Sequence, residues 1–177
     1  MRIATAVLLA SALAGCTAAP PPPAQPEIFY VREGMVNAIN PPIEAIWNLQ
    51  VEVMDDYGNF DPDLMTAAHW EALNDAARQL EGAALIQAHA ETYVATAPQS
   101  TLPPVPEGTD LDAVQARLSA NPQAYNAFAE ALARHTTQLR EAVDAHDPQA
   151  ITRLVNDTQP TCKACHDVFW YPEEYQN

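Results

Sequence analysis

The sequence predicts an all-α protein, an antiparallel four-helix bundle, and three observations carry that prediction. The chain has 177 residues but only 5 glycines, and its alanine-rich stretches favour helices over sheet. Apolar residues recur at the three- and four-residue spacing of helices with one buried face. Asn-Pro or Asp-Pro pairs precede these segments and are typical helix starts, because Asn and Asp cap orphan amides and proline fits the first turn. The pairs are Asn40-Pro41, Asp61-Pro62, Asn121-Pro122 and Asp147-Pro148.

The first two helices are predicted from stripes of apolar side chains. The first runs from about Ile28 to Tyr57 and is kinked or interrupted at Asn40, where two prolines cross a stripe that keeps its phase. The second begins with Asp61 as its cap and continues to about Thr96, where a long loop without helical signal follows. The stripes are Met35, Ile39, Ile43, Ile46 and Trp47 in the first helix and Trp70, Leu73, Ala77, Leu80 and Ala84 in the second.

The second half of the chain predicts a short helix and two long ones. The short helix is expected over Asp110–Ser119, the third long helix after Asn121, and the last after Asp147, reaching beyond Pro160. Four long helices can bury one core in a chain of this size without disulfides. The third stripe comprises Tyr125, Phe128, Leu132, His135, Leu139 and Val143, and the fourth comprises Ile151, Leu154 and Val155.

The N-terminal residues predict export. Arg2 precedes the apolar run Ile3–Ala14, which suits a signal peptide and is too short to span a membrane. Leu13-Ala14-Gly15-Cys16 resembles the lipobox of bacterial lipoproteins, which implies cleavage before Cys16 and lipidation of that cysteine. The alternative is an ordinary signal peptide with an incidental cysteine.

Three segments follow from this interpretation. Residues 1–15 form a lipoprotein signal peptide, residues 16–27 a lipidated cysteine with a proline-rich tether, and residues 28–177 the folded domain. A lipid anchor would hold that domain on the periplasmic side of a bacterial membrane without spanning it.

The net charge limits the partners of this chain. Its formal charge of −15 argues against nucleic acid, because a phosphate-binding surface must be basic. The same charge would steer a protein partner with a basic face into contact.

Cys162-Lys163-Ala164-Cys165-His166 is the segment that carries chemistry. C-x-x-C-H is typical of c-type heme attachment, because two thiols one helical turn apart can each bond one vinyl group and the histidine can ligate the iron. A redox dithiol would need a neighbouring βαβ pattern, which the sequence does not show. A structural zinc site would need four well-spaced ligands. A simple disulfide would leave the histidine unexplained, so the motif favours heme c.

A bundle with this motif near its C-terminus, in Thr161–Phe169, resembles the class II c-type cytochromes, which comprise cytochrome c prime and its low-spin relatives. The resemblance covers roughly residues 28–171 and implies a covalent heme between the helices, with His166 as the proximal ligand. It also implies an arginine or lysine after the aromatic residue that follows the motif. Trp170 stands there instead, so the sequence does not supply the basic contact to the heme at that position.

The sixth ligand of the iron decides between two functions. Met35 matches the first-helix methionine that ligates iron in low-spin family members, and histidine with methionine is an electron-transfer ligand set. The prediction is a mono-heme one-electron carrier, not an enzyme, whose redox partner has a basic face. The resemblance also implies a homodimer, since class II cytochromes often dimerise through their first two helices. If Met35 is instead a core residue, the alternative is a five-coordinate heme protein that binds nitric oxide or carbon monoxide. Met54 and Met65 are poorer ligand candidates.

Two further patterns have structural interpretations. His135 lies on the apolar stripe of the third helix and is expected to be a hydrogen-bonded core histidine, with a sixth ligand or a propionate contact as the alternatives. The acidic segment Asp55–Asp63 superficially resembles a calcium loop but lacks the glycine and the terminal glutamate of an EF-hand. A solvated turn that ends in the cap at Asp61 is the preferred interpretation.

Overall fold

The computed structural model describes residues 27–171. The predicted signal peptide, Cys16 and nearly all of the proline-rich tether lie outside the described residues, so those predictions are not tested by the fold. None of the described helices combines the length and the apolar content needed to cross a membrane.

The described part is mostly helical, as predicted. In chain order the helices and strands are β1 (Ile28–Tyr30), α1 (Val31–Gly34), a π-helical turn (Met35–Ile39), α2 (Asn40–Val53), α3 (Ala67–His89), β2 (Thr92–Val94), α4 (Leu111–Ala120), α5 (Pro122–Asp144) and α6 (Pro148–Phe169).

The first long helix is continuous, because α1, the π turn and α2 follow one another without a break. The backbone N–H of Asn40 donates to the carbonyl of Met35, five residues earlier, and this bond widens the turn. Pro41 and Pro42 have no N–H, and the ring of each would clash with the preceding turn of an ideal α-helix. The predicted kink is therefore a π turn, and it carries Met35.

Two of the four predicted helix starts are wrong. Asn40 lies inside the first long helix and caps nothing with its side chain. Asp61 caps a local turn, accepting from the N–H of Asp63 at 2.9 Å, because the chain does not become helical until Ala67. The cap of α3 is Thr66, which accepts from the N–H of His69 while the His69 ring accepts from the N–H of Thr66.

The other two helix starts are confirmed in position. Asp147 accepts from the N–H of Ala150 at 3.0 Å at the start of α6. Asn121 precedes Pro122 at the start of α5 but makes no side-chain cap bond. The predicted short helix is also confirmed as α4, where Asp110 caps the N–H groups of Asp112 and Ala113.

A pair of parallel strands was not predicted. Residues 28–30 pair with residues 92–94, in the register Ile28↔Thr92 to Tyr30↔Val94. The second helix accordingly ends at His89 and not near Thr96, because the segment after Ala90 joins the strand pair. This pair ties the start of the first long helix to the end of α3, so these two helices run antiparallel.

Two hydrophobic clusters fill the bundle. The aliphatic cluster lies between α2, α3, α5 and α6 and contains Ile43, Leu73, Leu80, Leu139 and Ile151, with Phe60 as its aromatic member. The aromatic cluster lies at the end that carries the strands and contains Phe29, Tyr93, Tyr125 and Phe169. Met35 packs against both clusters, Cys162 against the aliphatic one and Cys165 against the aromatic one. The C-x-x-C-H motif therefore lies where the two clusters meet.

Candidate functional site

The last helix presents the predicted motif on one face. α6 continues through Pro160 to Phe169, so Cys162, Cys165 and His166 lie three and four residues apart on successive turns. Lys163 points to the other side and pairs with Asp167 at 2.5 Å. This helical register is what a thiol pair needs to reach two points on one edge of a flat ring.

A cavity of about 250 Å³ lies against this face and is called the main cavity below. Its wall is mostly apolar and is formed by the π turn, α2, α3, α5 and α6. The wall residues that carry the argument are Met35, Trp47, Gln87, Cys162, Cys165 and His166.

A second space of about 410 Å³, the side groove, adjoins the main cavity. The two share Met35, Asn40, Cys165 and His166 in their walls, so they form one continuous region around the motif. The loop residues 103–106 close the outer side of the groove.

The two thiols do not resemble a redox pair. Burial raises the pKa of Cys162 and raises that of Cys165 to about 12, with the nearby Cys162 as a smaller cause. Reactive dithiols instead have lowered pKa values and electropositive surroundings. These cysteines are neutral at physiological pH and lie in the cavity wall, which suits a pair whose role is attachment.

His166 is exposed toward the cavities, and its ring lies 6.1 Å from that of Tyr171 between centroids. Burial by the neighbouring protein lowers its pKa, although the adjacent Asp167 opposes that shift. A neutral imidazole is the form that binds metal ions. The placement of His166 and the direction of its pKa shift both suit a ligand.

Met35 lines the same space from the π turn of the first long helix. It is partly buried and lines both the main cavity and the side groove. The other methionines considered from sequence do not line either space: Met54 is exposed beyond α2, and Met65 packs on the aliphatic cluster.

The position after the motif where the resemblance implies a basic residue holds Trp170, and a basic side chain from another helix lines the side groove. Trp170 lines the side groove at that position, and so does Arg32 of α1, which donates to the carbonyl of Pro103. Arg117 of α4 donates to the carbonyl of Phe169 at 2.8 Å and holds the end of α6. Sequence spacing could not find Arg32, because it lies on the first helix.

Gln87 is a site residue that the sequence analysis missed. Only 2% of its surface is exposed, and it lines the main cavity from the end of α3. Its side-chain amide lies 2.7 Å from the hydroxyl of Tyr125, while its Oε1 has no hydrogen-bond partner within the described residues. A polar residue in an otherwise apolar stripe was the available signal.

His135 does not belong to this site. Its Nε2 lies 3.1 Å from the hydroxyl of Thr158, and it lines neither space, as expected for a hydrogen-bonded core histidine. The acidic segment near Asp55 is a turn, in which the Asp55 carboxylate accepts from the N–H groups of Tyr57 and Asn59. Residues 27–171 contain no cluster of three or more histidine, cysteine or acidic side chains arranged to hold a metal ion.

The residues present fit a heme. The motif supplies two thiols and an imidazole on one helical face, the π turn supplies a thioether, and the wall that contains them is mostly apolar. The orphaned amide oxygen of Gln87 indicates a polar group in this wall that the protein itself does not satisfy. In natural structures such a buried group usually has a partner.

Comparison with known proteins agrees with this fit. No curated protein and no solved structure matches the chain significantly. A model of the family described as cytochrome C' matches residues 51–170, which is more than half of the chain and includes the motif but not Met35. The chain therefore belongs to the cytochrome c' family, and its cofactor is a c-type heme with iron.

Proposed function

We propose that this protein is a mono-heme electron carrier in which Cys162 and Cys165 attach the heme, His166 is the proximal ligand and Met35 is the distal ligand. The observation that carries the proposal is the position of Met35 in the wall of the main cavity that also contains the motif. The family match begins at Val51, so the assignment of Met35 rests on this geometry alone.

Local packing gives Met35 a defined position. It follows Gly34, whose missing side chain admits the buried ring of Phe29 against the helix. It opens the π turn, where the widened backbone is fixed by the two prolines that follow. A ligand must be held without large motion between two oxidation states, and these constraints serve that purpose.

The chain's own residues would set the properties of electron transfer. When bound, heme supplies a one-electron Fe(III)/Fe(II) couple. His166 and Met35 would keep the same two ligands in both states, and methionine ligation raises the reduction potential. The apolar wall, with Ile39, Ile43 and Leu132, would exclude water from the ring. Trp47 lines the main cavity and is 37% exposed, so a partner could approach a bound heme past this side chain.

The charge of the chain supports a basic redox partner. A formal charge of −15 produces a field that attracts cations over a distance limited by the Debye length. The exposed Glu44 lies in the wall of the main cavity and adds negative charge at the proposed docking edge. Raising the salt concentration should therefore slow electron transfer from a basic partner.

We also propose that lipidation of Cys16 anchors the domain on the periplasmic side of a bacterial membrane. The anchor is tested with Cys16→Ser, which should release the protein from the membrane fraction without changing its absorption spectrum. Membrane retention of the variant would contradict lipidation at this cysteine.

The ligand set is tested by the absorption spectrum of the purified holoprotein. The expected ferric spectrum is low-spin with the charge-transfer band of a methionine–iron bond. Met35→Ala should lose that band, become high-spin and lower the reduction potential. Met54→Leu is the matched control, because Met54 is exposed outside the cavity and its replacement should change neither property. A wild-type spectrum that is already high-spin, with carbon monoxide binding that displaces no ligand, would favour the gas-binding alternative.

A further inference from the structure

The orphaned amide of Gln87 has an unusual setting. The side chain is almost fully buried, yet one of its two polar atoms has no partner within residues 27–171, and leaving a buried amide group unsatisfied is destabilising. The residue lies in the wall of the main cavity, on the helix that packs beside the π turn. A group that the protein leaves unsatisfied at this position is available to whatever fills the cavity.

The hydrogen-bonding pattern determines which end of the Gln87 amide is left without a partner. If the Gln87 amino group donates to Tyr125, the phenol hydrogen of Tyr125 and the Gln87 oxygen both lack partners, since no other hydrogen bond of that hydroxyl occurs within residues 27–171. Amide oxygen and nitrogen are interchangeable in such an assignment. With the amide rotated by half a turn, the hydroxyl donates to the oxygen and only the amino group is left.

The distance supports the rotated amide. The two atoms are 2.7 Å apart, which is the usual length of an O–H···O bond and short for N–H···O. Burial raises the pKa of Tyr125 well above its ordinary value, so the phenol keeps its hydrogen at every physiological pH.

Neighbouring residues hold this arrangement rigidly. The Tyr93 hydroxyl donates to the backbone carbonyl of Gln87 at 3.1 Å and accepts from the side-chain amide of Asn126 at 2.9 Å. The Asn126 amide also donates to the carbonyl of Ala88. The rings of Tyr93 and Tyr125 pack at 4.5 Å between centroids. Gln87 is therefore fixed through both its backbone and its side chain.

We propose that the Gln87 side-chain amino group is a hydrogen-bond donor built into the heme cavity, and that it recognises an oxygen acceptor there. Two sources present that chemistry: a propionate carboxylate of the heme, and the oxygen atom of a small molecule bound on the distal side. The proposal rests on the proposed placement of heme in the main cavity, but it does not depend on Met35 as a ligand.

The test compares holoprotein of the wild type, Gln87→Leu and Tyr125→Phe, with Gln79→Leu as the matched control. Gln79 lies on the same helix as Gln87 but is exposed. Tyr125→Phe keeps Gln87 but removes the hydroxyl that orients it, so it covers the case in which Gln87→Leu does not fold. Heme staining and the absorption spectrum first establish that each variant carries attached heme, which separates failure of the proposed function from failure of this proposal.

Two spectroscopic readouts separate the sources. Resonance Raman spectra report the propionate bending modes, and a shift of these modes in Gln87→Leu identifies the carboxylate as the acceptor. A bound oxygen atom is tested with carbon monoxide as the probe, in a Met35→Ala background that opens the distal side. Infrared spectra then report whether Gln87 donates to the oxygen of the bound carbon monoxide. If the acceptor is such a bound oxygen atom, Gln87→Leu should raise the C–O stretching frequency. Carbon monoxide should also dissociate about 3–10-fold faster, because one hydrogen bond is lost. Tyr125→Phe should give a smaller change of the same sign.

The proposal is overturned by one pattern. If Gln87→Leu and Tyr125→Phe carry heme and differ from Gln79→Leu in neither the propionate modes nor the C–O stretch and dissociation rate, Gln87 is only a packing residue.

Discussion

The two hydrophobic clusters of the bundle differ in how they are completed. The aliphatic cluster packs helix against helix, and the side chains at its centre, such as Leu73 and Leu80, are at most 1% exposed. The aromatic cluster borders the main cavity and the side groove, and its residues Tyr125 and Phe169 line the groove. Ile39, Ile43 and Leu132 of the aliphatic cluster line the main cavity, but the centre of that cluster around Leu73 and Leu80 lies away from both spaces. We therefore expect the stability of this centre to come from the chain, and that of the aromatic cluster to depend more on heme.

The largest expected effect follows from removing the two cysteines that attach the heme. Cys162→Ala with Cys165→Ala should lose all covalently bound heme on a denaturing gel, because no other cysteine lies in the described residues to form a thioether. Amide hydrogen exchange should then accelerate mainly around Tyr93 and Tyr125, while amides near Leu80 keep most of their protection. Equal acceleration in both clusters would break the distinction between them.

Truncating a side chain at the centre of the aliphatic cluster should have the opposite effect, because stability falls while the heme site is unchanged. Leu80→Ala removes a side chain that is 1% exposed and should lower the free energy of unfolding by about 2–5 kcal/mol. The heme spectrum should be unchanged, because Leu80 lines neither space around the motif. Denaturant titration measures this loss. The control Gln79→Ala, at an exposed neighbouring position, should change the free energy of unfolding by less than about 0.5 kcal/mol. A spectral change in Leu80→Ala would show that the clusters are coupled.

Two glycines in helices provide a sharper contrast. A methyl group on Gly34 would collide with the buried ring of Phe29, whereas one on Gly82 would meet nothing. Overpacking costs about 1–3 kcal/mol, and the gain in helix propensity is at most about 1 kcal/mol. Gly34→Ala should therefore destabilise the protein, and Gly82→Ala should stabilise it slightly.

The same pair tests the position of Met35. Because Gly34 directly precedes Met35, its substitution should also weaken the methionine–iron band, which Gly82→Ala should leave intact. Thermal unfolding and absorption spectra of the two variants measure both effects. An unchanged band in a destabilised Gly34→Ala variant would indicate that Met35 is not held by this contact.

The aliphatic cluster was the more predictable of the two. Its residues recur at helical spacing, and α5 and α6 begin where Asn121-Pro122 and Asp147-Pro148 predict. The sequence also singled out the motif and Met35, because their spacing and position are local features, and both line the main cavity. Asp61 failed as a cap because Asp-Pro serves a turn as well as a helix, and only tertiary packing decides between them.

The features that sequence could not predict depend on contacts between distant segments. The strand pair joins residues 28–30 to residues 92–94, and neither triplet is long enough to show a periodic pattern. Arg32 reaches the loop at Pro103, and Gln87 meets Tyr125 across two helices. Each of these contacts lies at the cofactor end, where pairing across the bundle, and not the periodicity of one helix, determines the structure.

The smallest expected effect concerns pH and the aliphatic half of the bundle. Burial lowers the pKa of His135 below its ordinary value of 6.5, against smaller opposing effects of the Leu154 carbonyl and the charge of Asp157. Below about pH 6.5 the unfolded chain therefore binds more protons than the folded one, so the free energy of unfolding is unaffected above that pH and falls as the pH drops through it.

His135→Gln should flatten this fall, because glutamine can keep the bond to Thr158 but does not titrate. Denaturant titrations at several pH values between about 5 and 8 measure the slope. His89→Gln is the control, since His89 is exposed on α3 and its replacement should leave the slope as in the wild type. The ring of His135 is only partly buried, which limits its effect on stability. The variants are therefore compared by the slope of the free energy of unfolding against pH, and not by their total stability. If His135→Gln loses stability with acid as steeply as the wild type, the acid sensitivity of this protein arises elsewhere, and the cofactor end with His166 becomes the first place to look for it.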